Sequence, residues 1–133
     1  MMYRFLSRIV FALFISFSTL AQTVTVKIIE TSDVHGAIFP YDLKENKEIN
    51  SSLARVTTYL KELRADSNQI VFLLDNGDVL QGDPVVYYYN FEKTDTIHLY
   101  ADVMNFMKYD AGTVGNHDIE TGHDVYDKFN KEI

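Results

Sequence analysis

Three short clusters carry residue types suited to metal chemistry: Asp33-Val34-His35, Gly77-Asp78 and Gly115-Asn116-His117-Asp118. Their carboxylates, imidazoles and amide are the oxygen and nitrogen donors that suit Mn, Fe, Zn or Mg. One carboxylate such as Asp78 can bridge two cations about 3.5–4 Å apart. Gly77 and Gly115 allow tight turns that aim the next side chain. Taken singly, each cluster has a plainer reading. Asp-x-His is an ordinary turn, Gly-Asp is a common turn dipeptide, and Asn or Asp after Gly caps a helix. Their order, each at the end of a strand-like segment, points to one shared metal site.

The segments that must position these clusters alternate in pattern. Val24 to Ile29 is rich in β-branched residues and reads as a strand running into the first cluster. Residues 40–50 open with Pro40 and are polar, as a loop is. Ser51 or Ser52 then caps a helix that carries Leu53, Val56, Leu60 and Leu63 at helical spacing. Ile70 to Leu74 is a continuous apolar run, the pattern of a strand buried on both faces, and it ends at the second cluster. Residues 81–96 read as a loop with some helix. Leu99, Val103, Met104 and Met107 mark another helix. Asp110 to Val114 is weak as a strand by propensity but stands between that helix and the third cluster. From Gly122 onward, Val125 and Phe129 mark a last helix, with Asp124 facing Lys128. This β-α-β-α-β-α order predicts an α/β fold with parallel strands and right-handed crossovers. Ligands of such sheets bind beyond the carboxyl ends of the strands, so clusters roughly 40 residues apart are expected to converge.

Composition narrows the chemistry. Twelve Lys and Arg stand against nineteen Asp and Glu in 133 residues, a net charge of −7. So acidic a chain has no basic footprint for nucleic acid. There is no Cys, which excludes disulfides, thiolate metal sites and a cysteine nucleophile. Residues 1–21 read as a secretory signal peptide, with Arg4 and Arg8, the apolar run Ile9 to Phe17, and small residues before a cleavage after Ala21. The apolar run is short of the roughly 20 residues that span a bilayer, so no stable anchor is expected after cleavage. Without Arg4 and Arg8 the net charge is −9. An exported chain, periplasmic or extracellular, is the expectation.

The three clusters resemble the calcineurin-like metallophosphoesterases, whose signature runs D-x-H, G-D, G-N-H-D/E. Within that superfamily the sequence is similar to the secreted 5′-nucleotidase and 2′,3′-cyclic-nucleotide phosphodiesterase branch. That likeness lies in the run from Asp75 to Pro84 (D-N-G-D-x-x-Q-G-x-P), in Thr31 to Gly36 and in Leu53-Ala54-Arg55. It spans nearly all of residues 24–130. It implies that residues 22–133 form the first half of a four-layer α/β/β/α sandwich. It implies two divalent metal ions. Asp33 and His35 would bind the first, Asp78 would bridge, and Asn116 would bind the second and help place the substrate phosphate. His117 would face the phosphate rather than a metal, as the candidate catalytic residue. The residue three after it is Glu120, where nucleotidases usually have Asp and cyclic phosphodiesterases often Asn. Glu120 would orient His117 but selects neither subfamily. The implied reaction is hydrolysis of a nucleotide phosphate ester. The alternatives are a phosphatase of other esters and a truncated, catalytically incompetent chain, because the family's later G-H-x-H is not in these residues and the one candidate G-H, Gly122-His123, stands only six residues after His117 at a helix start.

The remaining candidates have bland expectations. His123 reads as a surface residue at a helix start, and His98 as a helix-terminal surface residue. Tyr87 to Tyr89 read as core and loop packing rather than a base-stacking platform. Arg55 reads as an exposed helix residue, with a phosphate role as the alternative.

Overall fold

The computed structural model describes residues 23–133, with Tyr3 alone before them. The signal-peptide expectation for residues 1–21 lies outside the described residues, as does cleavage after Ala21. Among the described residues no helix is long and apolar enough to cross a membrane.

β1 is Thr25–Thr31, and a small antiparallel hairpin of β2 (Tyr41–Asp42) and β3 (Lys47–Glu48) follows it. The hairpin falls inside the segment expected to be loop. α1 (Leu53–Arg64) starts where Ser52 Oγ accepts the Arg55 amide, one of the free donors of the first turn. β4 (Gln69–Asp75) pairs in parallel with β1 from Thr25 opposite Gln69 to Thr31 opposite Asp75. α2 (Pro84–Tyr87) is capped by Asp83 and widens into a π-turn over Tyr88–Glu92. α3 is Leu99–Met107. The expected strand at 110–114 shrinks to β5 (Ala111–Gly112), parallel to β4. α4 (Asn116–Glu120) and α5 (His123–Glu132) complete the order. The sheet runs β1-β4-β5, all parallel, as the alternating pattern predicts.

The core lies on one side of this sheet. Leu73 shares one buried cluster with Leu53 and Leu60 of α1, Tyr100, Met104 and Met107 of α3, and Val125 and Phe129 of α5. Among the described residues the other face is open, which corrects the expectation of a β4 buried on both faces. Val26 is paired with Ile70 and Ile28 with Phe72, and all four are exposed. Period-two alternation sends these residues to the face opposite Leu73.

Three further expectations change. Tyr87 and Tyr88 are exposed, because the helical period turns Val86 and Asn90 inward instead. Lys128 does not meet Asp124. It donates to the carbonyls of Thr94 and Thr96 and lies 3.6 Å from Glu132. His98 is at a helix start as expected, but it is 2% exposed rather than a surface residue. It caps α3: its Nδ1 accepts the Tyr100 amide at 3.1 Å, a role only the neutral ring can fill.

Burial pushes the His98 imidazole down from 6.5 to about 4. The folded state therefore refuses a proton that the unfolded chain accepts between those values. The contribution of His98 to stability is full above about pH 6.5 and declines as pH falls toward 4, by about 3 kcal/mol in total. The check compares urea midpoints of wild type and His98→Asn, which keeps a capping side chain without titrating. The difference between them is expected to move against wild type as pH drops from 7 to 4. A constant difference over that range would contradict it.

Candidate metal centre

The sheet brings the three clusters to one edge. β1 delivers Asp33 and His35, β4 delivers Asp78, and the turn after β5 delivers Asn116 and His117. Their loops are stitched together by backbone bonds. Asp33 N donates to Gly77 O at 3.1 Å and His35 N to Asp78 O at 2.9 Å. Asn76 N donates to Thr31 O at 2.8 Å and Thr113 N to Asp75 O at 3.0 Å. Asp33, His35 and Asp78 all have left-handed backbones, with φ of 52°, 50° and 60°. Such conformations are costly for residues other than Gly and persist where the surroundings hold them. Two glycines make the close approach possible. A Cβ on Gly77, at φ +87°, would strike the Gly115 backbone, and one on Gly115 would overlap the Asp78 carboxylate.

His35, Asp78 and His117 present ligand-capable atoms within 4.8 Å of one another. The donor set fits a divalent cation. His35 Nδ1 lies 2.8 Å from the Gln81 carbonyl, which accepts its proton and leaves Nε2 as the lone-pair nitrogen. His117 Nδ1 lies 3.1 Å from Glu120 Oε2, which orients the second ring through that nitrogen. The His35 and His117 rings stand edge-on with centroids 5.4 Å apart. Asp78 is buried, and its Oδ1 accepts the His117 amide at 2.8 Å. Asp33 stands outside the close trio; it is exposed, and its carboxylate accepts the Ser32 hydroxyl. Asn116 is exposed at the start of α4. His123 is exposed and meets Tyr126 and Asp127. Arg55 is exposed on α1, along a groove that also includes Asp33.

Gln81 connects the two histidines. Its carbonyl holds His35, and its side-chain amide donates to Glu120 Oε2 at 3.2 Å. The bond to Glu120 raises the His117 pKa above its ordinary value. Bonds from His117 and Gln81 lower that of Glu120. The pair is exposed, so its weight in stability is small, but the sign matters for chemistry: Glu120 keeps His117 protonated to higher pH. Glu120→Gln is expected to lower the His117 pKa, read by NMR titration of the ring. An unchanged value would show that the contact is not maintained in solution.

Sequence reasoning placed Asp118 in a cluster, as a residue that could cap a helix, and missed its larger part. It is 3% exposed, and its carboxylate accepts four backbone amides. Gly115 N, at 2.9 Å, belongs to its own turn. Asp78 N, Val79 N and Leu80 N, each at 2.8 Å, belong to the loop after β4. One side chain thus clamps the Asp78 loop to the His117 loop. A legible signal was that Asp78-Val79-Leu80 must bury amides that have no strand or helix to receive them. Behind it Asp75 is also buried. Burial pushes its carboxyl up, against hydrogen bonds from Thr31 and Gly77.

Residues 26–132 match the family model for calcineurin-like phosphoesterase. The chain belongs to the calcineurin-like phosphoesterase family. Among curated relatives of this calcineurin-like phosphoesterase, the trifunctional nucleotide phosphoesterase protein YfkN of Bacillus subtilis (strain 168) is 38% identical over 114 residues. That match covers 80% of this chain and 8% of the relative. The 2′,3′-cyclic-nucleotide 2′-phosphodiesterase/3′-nucleotidase of Yersinia enterocolitica is 32% identical over 111 residues, covering 81% of this chain and 17% of the relative. The chain thus spans less than a fifth of the length of either. The crystal structure of the calcineurin-like phosphoesterase YfkN from Bacillus subtilis superposes with a TM-score of 0.72 at 36% identity. It covers 82% of this chain and 34% of that one.

Proposed function

We propose that this site takes part in the hydrolysis of nucleotide phosphate esters with two divalent cations. The observation that carries the proposal is the trio His35, Asp78 and His117, with both rings tied at Nδ1 and free at Nε2. Asp33 and His35 would hold the first cation, Asp78 would serve both, and Asn116 would serve the second and the substrate phosphate. When bound, the cations supply Lewis acidity and neutralise the charge of the phosphoryl group. His117 touches the phosphate: its Nε2 stabilises developing charge or gives a proton to the leaving oxygen. Glu120 positions that ring and keeps the proton on it. Gln81 couples the two rings, so a shift of one is felt at the other.

A nucleotide substrate is supported by the names of the relatives, which act on nucleotides and cyclic nucleotides. The D-N-G-D-x-x-Q-G run adds to this. Export is part of the same proposal, and a mature chain beginning at Gln22, read by mass spectrometry, would agree with it. The test of function is Mn²⁺ and Zn²⁺ titration beside hydrolysis of a nucleoside 5′-monophosphate, a 2′,3′-cyclic nucleotide and an aryl phosphate. Uptake of metal with preference for either nucleotide supports the reading. No metal uptake sinks the metal centre, and equal turnover of the aryl phosphate moves the substrate to esters in general.

A further inference from the structure

The loop that presents Asp78 is gripped from two sides, and only one grip belongs to the site. On the site side, Asp118 collects the amides of Asp78, Val79 and Leu80. On the far side, the Leu80 carbonyl accepts a hydrogen bond from Asn90 Nδ2 at 2.7 Å. Asn90 lies within the π-turn and is 6% exposed. π-turns are rare and are frequent at functional sites.

Hydrogen-bond directions decide how the Asn90 amide faces. His98 Nδ1 accepts the Tyr100 amide, so the ring proton sits on Nε2 and donates to Asn90 Oδ1 at 2.9 Å. The Asn90 oxygen is thereby occupied, and its NH₂ is turned to Leu80. His98 is itself fixed, because its backbone N–H donates to Glu132 Oε2 at 2.7 Å. A chain of hydrogen bonds therefore runs from α5 through His98 and Asn90 to Leu80, and on through Asp118 to Asp78. Val86, one turn earlier on the same inward face, is apolar. An apolar residue at 90 would fill the space without needing two partners. A fully satisfied buried polar link specifies geometry that packing alone does not.

We infer that Asn90, oriented by His98, is a positioning residue for the metal-bearing loop Gly77–Leu80. It sets the place of the Leu80 carbonyl, and through the amides held by Asp118 it sets the direction of the Asp78 carboxylate. The inference rests on the reading of Asp78 as a metal ligand.

The test uses the full chain with Asn90→Leu, which removes both hydrogen bonds and leaves the Leu80 carbonyl and His98 Nε2 without this partner. Asn90→Asp is the nearly isosteric second variant, which keeps an oxygen for His98 and loses the donor to Leu80. Should the leucine variant not fold, the aspartate variant carries the comparison. Two quantities are read: hydrogen exchange of the Asp78, Val79 and Leu80 amides without metal, and Mn²⁺ affinity by titration. Exchange at these three amides is expected to quicken about tenfold or more while Ile29 and Leu73 in the sheet stay as in wild type. Mn²⁺ binding is expected to weaken about 10–100-fold, the usual effect of losing an outer-shell partner. If wild type takes up Mn²⁺ and the variants bind it equally well, the inference falls and the metal centre stands. Uniform quickening at loop and sheet alike, with Mn²⁺ affinity kept, also overturns it, since that is general destabilisation. If wild type takes up no Mn²⁺, the metal reading fails and takes the inference with it.

Discussion

Asp118→Ala is expected to lower the free energy of unfolding by about 3–5 kcal/mol. Four amides, three of them in buried bonds, lose their acceptor at once. Each orphaned group carries a desolvation penalty of about 1–3 kcal/mol, which water entering the gap offsets in part. A small domain has about 5–15 kcal/mol in total, so the loss is a large fraction of it. Urea denaturation at pH 7 measures it directly. Asp118→Glu keeps a carboxylate and should recover part of the loss. A loss below about 1 kcal/mol for the alanine variant would mean that the clamp is dispensable.

The second large effect separates ligand from catalyst. Asp78→Ala is expected to weaken Mn²⁺ uptake by about 100-fold or more, since it removes the carboxylate proposed to serve both cations. It also frees the His117 amide, which Asp78 Oδ1 accepts at 2.8 Å, so the His117 loop should loosen as well. His117→Ala is expected to keep the metal and to cut turnover by about 10²–10⁴-fold, the range for removing an acid–base or charge-stabilising group. The measurement is metal content beside hydrolysis for both variants. Metal retained in Asp78→Ala would end the bridging role. Metal lost in His117→Ala would make the third member of the close trio a ligand.

Much of this architecture is legible in the sequence where one periodicity acts alone. Leu53, Val56, Leu60 and Leu63 give α1, and Ser52 gives its cap. The run Ile70 to Leu74 gives β4, though not which face is open, because an apolar run lacks the alternation that would say. The convergence of His35, Asp78 and His117 follows from strand ends in a parallel sheet. What stayed hidden were polar side chains whose partners are backbone groups far away in sequence. Asp118 offers its carboxylate to amides 38–40 residues earlier, and a motif shows only its local neighbours. Asn90 follows three tyrosines, and nothing in Tyr-Tyr-Tyr-Asn says that the amide, not the rings, turns inward. His98 looked like a surface residue because capping positions commonly are.

The left-handed backbones of Asp33 and His35 set two kinds of selection against each other. Glycine at either position would relieve a conformational cost of about 1 kcal/mol and remove a proposed ligand in the same step. Screening variants for heat resistance alone would therefore enrich chains that fold well and lack a proposed ligand. Screening for turnover would keep the strained residues and accept a lower melting point. The conformation of two residues thus ties durability to chemistry, and a sequence improved for one would carry the mark of what it gave up in the other.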